Sequence, residues 1–496
     1  MSLFRKKDLS AMLAQAEDGG KGLKRTLGAG NLIALGVGAI IGAGLFVRTA
    51  AAAGQAAGPA VTISFIVAAI GCAFAGLCYA EFAAMIPISG SAYAYSYVTM
   101  GETVAWIIGW ALIMEYALGA ATVSIAWSEY LNKLLGGSIP YEWSHSPFES
   151  VTDAAGVVHH GIMNAPALVI LLLLTLLLIK GTQESAIVNA IIVFIKVAIV
   201  LLFIFIGWKF INPANHTPYL IPADQAPVTD ASGKVIADYS GVFKHGWGGV
   251  LGGAAIVFFA FIGFDAVSTA AQEAKNPKRD MPIGILGSLV VCTILYILFG
   301  HVLTGVANWK DFVDPLKGRE ASVAYAISTY MTGYGWLATA VTVAILAGFS
   351  SVILVMLMGQ SRVFFSMAND GLLPKVFSDL HPKYRTPYKS NWILFVFVGA
   401  FAAFVPGSVA GDLTSFGTLF AFVLVSAGVW ILRVKSPEME RPFKTPLVPL
   451  VPVLGAIICL AMIFALDAQT LKVAFAWMAL GLLVYFVYSR KHSKLN

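Results

Sequence analysis

The stretch GVGAIIGAGLFV, Gly36 to Val47, places four glycines inside an apolar run that is otherwise long enough for one membrane-crossing helix. Each glycine costs about 1 kcal/mol against alanine in a helix interior, so this is where the helix is least able to stay continuous. Two readings compete. The glycines either unwind the helix at a site, or let a neighbouring helix approach through the GxxxG spacing of Gly38 and Gly42.

Composition decides the class of protein in which that choice is posed. Of 496 residues, 58% are hydrophobic and only 12% charged, with a mean hydropathy of +0.80. A soluble domain carries about a quarter charged residues. The chain therefore reads as a polytopic membrane protein. Cys72, Cys78, Cys292 and Cys459 all lie in apolar runs without CxxC spacing, which fits packing rather than a disulfide or metal framework. The net charge of +6 reads first as a topology signal, not as a nucleic-acid surface.

Crossing a hydrocarbon core of ~30 Å takes about 20 residues. Twelve segments meet that need: roughly 30–49, 59–86, 99–132, 163–180, 184–209, 246–271, 282–306, 335–366, 391–407, 412–433, 447–466 and 470–489. With the N-terminus inside, the inner segments hold 22 of the 32 Lys and Arg, the outer loops nine, and Lys196 remains within a span. That asymmetry predicts both termini in the cytoplasm of a multi-pass protein of the plasma membrane. The first thirty residues are too polar for a signal peptide.

A second glycine-broken span, VLGGAAIVFFAFIGFDAVSTAAQEAKNPKRD, is the sixth, entered from the opposite side to the first. Interrupted spans at corresponding places of two halves point to an inverted-repeat transporter with a midplane site. The expected organisation is a cytoplasmic segment 1–29, a first repeat 30–211, an extracellular loop 212–245, a second repeat 246–433, and two appended helices with a cytoplasmic tail over 434–496.

An unwound turn around Ile41 to Gly44 would free carbonyls at the end of one half-helix and amides at the start of the next. Such groups are tolerated at membrane depth only where they line a cavity or meet a ligand. Amide-bearing helix starts favour a carboxylate and carbonyl-bearing ends favour an ammonium, so a zwitterionic α-amino acid suits both. Three residues separate Gly38 from Gly42, so the stretch is no dinucleotide-binding GxGxxG.

Four stretches carry a family resemblance: GAIIGAGLFV in span one, YAEFAAMIPISGSAYAYSY after span two, GWALIMEYALGAATVSIAWSEYL in span three, and AFIGFDAVSTAAQEAKNPKRDMPIGI across spans six and seven. From about residue 25 to 435 the chain resembles the amino acid–polyamine–organocation superfamily of transporters, within it the cationic amino acid transporter branch. The resemblance implies an all-α, LeuT-type 5+5 inverted repeat with transmembrane helices 1 and 6 broken. Animal members of that branch carry fourteen spans, against twelve here, and Lys196 is more like bacterial proton-coupled relatives. Carried over, the carboxylate cradle falls on the backbone of Gly42, Ala43 and Gly44. The amino-group acceptors fall on the carbonyls of Ile40, Phe259 and Ile262; small side chains such as Ala260 leave room, and Phe259 closes the pocket from outside unless it merely fills core space.

Charges at mid-span cost from about 2.5 kcal/mol upward and usually work for their place. Glu81, near the cytoplasmic end of span two, and Asp265, after the break in span six, read as structural, the latter as a cap on the second half-helix. Glu115 sits near the middle of span three. It is expected to meet the cationic tip of arginine, lysine or ornithine, with an ion pair to Lys196 or a protonated, hydrogen-bonded carboxyl as alternatives. Lys196 is expected to reach the space between spans one and eight, near Ser350 and Ser351, and couple transport to protons.

No GxxxxGK[ST] or HExxH occurs, so neither ATP hydrolysis nor zinc catalysis is expected, and no cofactor or metal. His145, His159 and His160 share an outer loop and read as solvated. The function expected is import of L-amino acids, cationic or small neutral with alanine among them, by proton symport. An exchanger or an amino-acid sensor are the alternatives. An enzyme would need clustered catalytic groups and a channel a continuous polar stripe.

Overall fold

The computed structural model describes residues 5–7, 27–42, 44–86, 91–153, 156–180, 186–230, 232–269, 271, 274–317, 322–384 and 386–495. Thirteen helices carry the architecture: α1 Ala29–Ile40, α2 Val61–Met85, α3 Glu102–Ile113, α4 Gly119–Leu134, α5 Ala165–Lys180, α6 Ala186–Gly207, α7 Gly246–Val257, α8 Pro277–Val306, α9 Gly335–Asn369, α10 Tyr388–Phe404, α11 Gly407–Lys435, α12 Leu450–Phe464 and α13 Ala468–Val484. The chain is a multi-pass membrane protein: eight helical stretches among the described residues are long and apolar enough to cross a bilayer, and α1, α5, α10 and α12 are shorter apolar helices. Among the described residues, strands are confined to two antiparallel hairpins, Ser150–Thr152 with Val158–His160 and Val228–Thr229 with Val235–Ala237.

Local chemistry explains where the apolar runs stop. At the end of α1, Ile41 is extended at ψ 102° while its N–H still bonds Val37, and Leu45 and Phe46 then donate to the Gly42 carbonyl. Gly44–Arg48 resumes as a wide π-turn. In α7 the helix tightens to a 3-10 turn over Phe258–Phe261, Ile262 turns extended at ψ 135°, and Gly263 takes φ +113°. That φ suits glycine alone. The two interruptions face each other. A Cβ on Gly263 would lie 2.9 Å from the Ala39 carbonyl oxygen, and one on Gly44 would lie 2.2 Å from Ala260 Cα. Residues 39–42 and Gly44 thus run antiparallel to residues 263 to 260.

Around this crossing the core is apolar and continuous, with Tyr79, Phe264 and Phe422 in edge and tilted ring contacts and Phe65 against Phe261 and Tyr296. Gly36 and Gly42 also serve packing: an added Cβ would meet Ser288 Oγ at 2.5 Å and Val352 Cγ2 at 3.1 Å. Break and close approach therefore fall in the same stretch. The break falls after Ile40, while Gly36, Gly42 and Gly44 each admit a different neighbour.

The buried charge of Glu81 is fully paired. Its carboxylate takes a bidentate contact from Arg433, Nε to Oε1 and Nη2 to Oε2 both at 2.8 Å, and the Thr445 N–H at 2.8 Å. Arg441 Nε lies 3.2 Å away and its Nη2 caps the end of α11, donating to the Leu432 and Ser436 carbonyls. Removing one partner from such a knot leaves two guanidinium groups uncompensated, which costs about 3–5 kcal/mol. Glu81→Gln should lower the melting temperature in detergent by several degrees while a nearby exposed substitution does not; an unchanged melting temperature would show the pair to be incidental.

Candidate functional site

The candidate site is assembled from the backbone of the two breaks and from side chains of the Met114–Leu118 turn, α6, α8 and α11. Ile40 and Ala260, one from each break, turn their carbonyls to the same hydroxyl: Tyr296 of α8 lies 3.0 Å from the Ile40 oxygen and 2.8 Å from the Ala260 oxygen. A phenol has one proton, so it satisfies one carbonyl at a time and leaves acceptor capacity at the other. The Phe259 carbonyl accepts the Ile262 N–H at 3.3 Å. Ile40, Ile41, Gly42, Gly44, Phe259, Ala260 and Ile262 thus lie within one small region of crossed backbone. Ala43 lies outside the described residues.

Lys196 reaches this region from α6. Its Nζ donates to the Gly38 carbonyl at 3.0 Å, and its stem crosses α9 at Gly348, where an added Cβ would meet Lys196 Cε at 2.7 Å. The ammonium therefore sits between α1 and α9, with Ser351 buried on the same helix and Ser350 bonded to its own Leu346 carbonyl at 2.9 Å.

Glu115 is not paired with Lys196. It lies in a π-turn, Met114–Leu118, between α3 and α4, a wide turn of the kind often found at functional sites. Its electrostatic neighbours are Asp265 and the Thr418 hydroxyl. Neither Glu115 oxygen, nor Oδ1 of Asp265, has a hydrogen-bond partner among the described residues. Asp265 accepts the Tyr116 hydroxyl at 2.7 Å and faces the backbone N–H groups at the start of Ala266–Thr269. So the two acids that the sequence separates by 150 residues stand together, wholly buried.

Sequence reasoning missed three contacts here. Tyr296 and Tyr116 are ordinary aromatics in apolar runs until their partners are known. Arg48 pairs with Asp412 of α11 while its guanidinium stands 6.0 Å over the Phe259 ring; at the edge of span one it carries no sequence sign of either contact. The loop histidines do not converge. His145 stacks on Tyr141, and His159 pairs with Glu142 and Asp153 at 3.3 and 3.4 Å, contacts that raise its pKa.

The amino acid permease model of protein families matches residues 27–488. The chain belongs to the amino acid permease family. It falls in the amino acid–polyamine–organocation superfamily, as the resemblance implied, and it is a transporter rather than an enzyme. The branched-chain amino acid permease BcaP of Bacillus subtilis is 44% identical over all of this chain and 99% of its own. The methylthioribose transporter of the same organism is 41% identical, again over all of this chain and 99% of its own. The vacuolar cationic amino acid transporter 4 of Arabidopsis thaliana is 33% identical over 88% of this chain and 68% of its own.

Proposed function

We propose that this permease imports neutral L-amino acids with small or branched side chains by symport with protons across the plasma membrane, by alternating access. The observation that carries the reading is the close approach of the two breaks, which gathers the backbone carbonyls of Ile40 and Ala260 in one place. Such a place reads the ammonium and carboxylate common to all amino acids. The ten helical segments from residue 30 to 433 form the 5+5 inverted repeat, the two that follow complete twelve spans, both termini face the cytoplasm, and both β-hairpins face outward.

Side-chain preference is the finer question. Glu115 has a second carboxylate, Asp265, as its neighbour, on which the Tyr116 hydroxyl already sits, so we read the two acids as a buried structural pair rather than as a reader of arginine, lysine or ornithine. The 44% likeness to a branched-chain permease, against 33% to a cationic transporter, points the same way.

A second reading is favoured by one observation, the 41% likeness to a methylthioribose transporter. Methylthioribose has neither carboxylate nor ammonium, so competition separates the two. Purified protein that binds labelled L-leucine should lose it to alanine and valine. Leucine methyl ester and isoamylamine should compete ten- to a hundredfold less well, since each lost charge-assisted hydrogen bond is worth about 1.5–3 kcal/mol. If methylthioribose or the ester displaces leucine as well as valine does, the backbone cradle is not what reads the ligand.

A further inference from the structure

His216 and His301 come together where the chain leaves α6 and packs against the far end of α8. Far apart in sequence, they form no ligand motif there. Their rings lie 4.6 Å apart, centroid to centroid, at 39°, and both residues are half-buried. His216 closes the turn Pro213–His216, which is pinned to α8 twice: the Asn212 N–H donates to the Gly305 carbonyl at 2.9 Å, and Asn215 Nδ2 to the same oxygen at 2.8 Å. Just beyond the turn, Tyr219 shares a hydrogen bond with Thr62 of α2. His301 rests on Trp208, ring centroids 5.4 Å apart. The two imidazoles are thus held by their neighbours and not by a bond between them.

Hydrogen bonding decides which nitrogen of His216 is bare. Thr304 has one hydroxyl proton and gives it to the Gly300 carbonyl at 2.8 Å, so His216 Nε2, 3.3 Å from that hydroxyl oxygen, is the donor there. Nδ1 of the neutral ring then carries no proton. A ring N–H fixed by an oxygen while the other nitrogen stays bare is the arrangement that orients metal-ligating histidines. Burial first, and His301 beside it second, lower the proton affinity of His216, which favours the neutral, ligating form at pH 7. Among the described residues, no hydrogen bond engages the ring nitrogens of His301.

The ring spacing narrows what the pair can hold. Zinc takes imidazole nitrogen at about 2.0–2.1 Å, so two rings on one ion at right or tetrahedral angles have centroids about 4.5–5.2 Å apart. The observed 4.6 Å falls in that range.

We propose that His216 and His301 form a binding site for a divalent transition metal of the zinc type, and that the bound ion ties the turn after α6 to α8. Imidazole suits zinc, copper or nickel, whereas calcium and magnesium take oxygen ligands. Water completes the coordination on the exposed side. α6 carries Lys196 and α8 carries Tyr296, both reaching the crossed breaks, so an ion joining their ends acts as a brake on transport. Binding stands apart from the transport reading above; only the brake rests on it.

Calorimetric titration of the purified full-length protein with Zn²⁺ tests the site. Wild type should bind one ion per chain that His216→Gln and His301→Gln each bind at least tenfold more weakly, and Mg²⁺ should not compete for it. His159→Gln, at the exposed contact with Glu142 and Asp153, should keep that ion. Cu²⁺ in wild type should show electron-spin couplings to two imidazole nitrogens. In liposomes with chelator, both glutamine variants should exchange leucine at the wild-type rate, which shows them folded; Zn²⁺ on both faces should slow wild type several-fold and leave them unaffected. Equal Zn²⁺ affinity in wild type and both variants, or Cu²⁺ coupled to fewer than two nitrogens, would overturn the site. Zinc bound as expected without slowing exchange would overturn the brake, whereas a protein that binds zinc as expected and exchanges no leucine would overturn the transport reading instead.

Discussion

Gly44→Ala is expected to weaken L-leucine binding at the crossed breaks by about a hundredfold, nearly as much as Gly44→Val, because the first methyl already does the damage. A Cβ at this position falls 2.2 Å from Ala260 Cα and 2.7 Å from its backbone nitrogen. No rotamer relieves a clash with main chain, so the two interrupted segments must separate. Overpacking of this kind costs typically 1–3 kcal/mol, and here it is taken from the geometry of the site itself; about 2.8 kcal/mol is a hundredfold in affinity. Gly42→Ala is the comparison. Its Cβ would approach Val352 Cγ2 at 3.1 Å, the end of a side chain that can give by a few tenths of an ångström, so its loss should be several-fold at most. Binding of labelled leucine to detergent-purified variants, with size-exclusion profiles to show folded protein, decides it. Binding by Gly44→Ala within twofold of wild type would show that the approach of Gly44 to Ala260 does not set the site.

What could be read beforehand followed from features that are local in sequence. A glycine-rich interruption in an apolar run is a backbone signal, so the breaks at Ile41–Gly42 and Phe258–Gly263 were legible without any partner. Their adjacency was legible only through the symmetry of the two halves. The charged residues were visible for a related reason, since a carboxylate or ammonium in hydrocarbon stands out against its neighbours. Their pairings were not visible. Glu115 is expected from the sequence to meet a cationic substrate tip, with Lys196 as an alternative partner, yet it stands by Asp265, another acid, and Lys196 takes a main-chain carbonyl. Which side chain meets which is fixed by the rotation of helices 80 to 150 residues apart, and a single sequence carries no record of that rotation. Tyr296 shows the limit most clearly. A tyrosine among leucines and isoleucines in α8 gives no sign of a hydroxyl lying between the carbonyls of Ile40 and Ala260.

Lys196→Met is expected to abolish proton-driven accumulation while sparing exchange. The ammonium donates to the Gly38 carbonyl at 3.0 Å, one turn before the break, and its stem lies against Gly348 of α9. Charged, it ties α6 and α9 to the first half-helix through a charge-assisted hydrogen bond worth about 1.5–3 kcal/mol. A buried lysine can release its proton where an arginine cannot. Neutral, the amine keeps only the weaker bond, and a tenfold to hundredfold shift in the balance between tied and released half-helix follows. A substrate bound at the crossed breaks prefers the tied arrangement, because the backbone it contacts is held there, so proton and substrate favour each other by linkage. Methionine keeps the length and the packing against Gly348 and removes the charge. In liposomes, wild type should accumulate leucine under an inward proton gradient and speed up as the outer pH falls. Lys196→Met should show neither effect, yet retain counterflow of labelled against unlabelled leucine, since exchange needs binding and movement but no net proton. Accumulation that survives in Lys196→Met, or that in wild type follows sodium instead of protons, would place the coupling elsewhere, and the Glu115–Asp265 pair would be the next group to test.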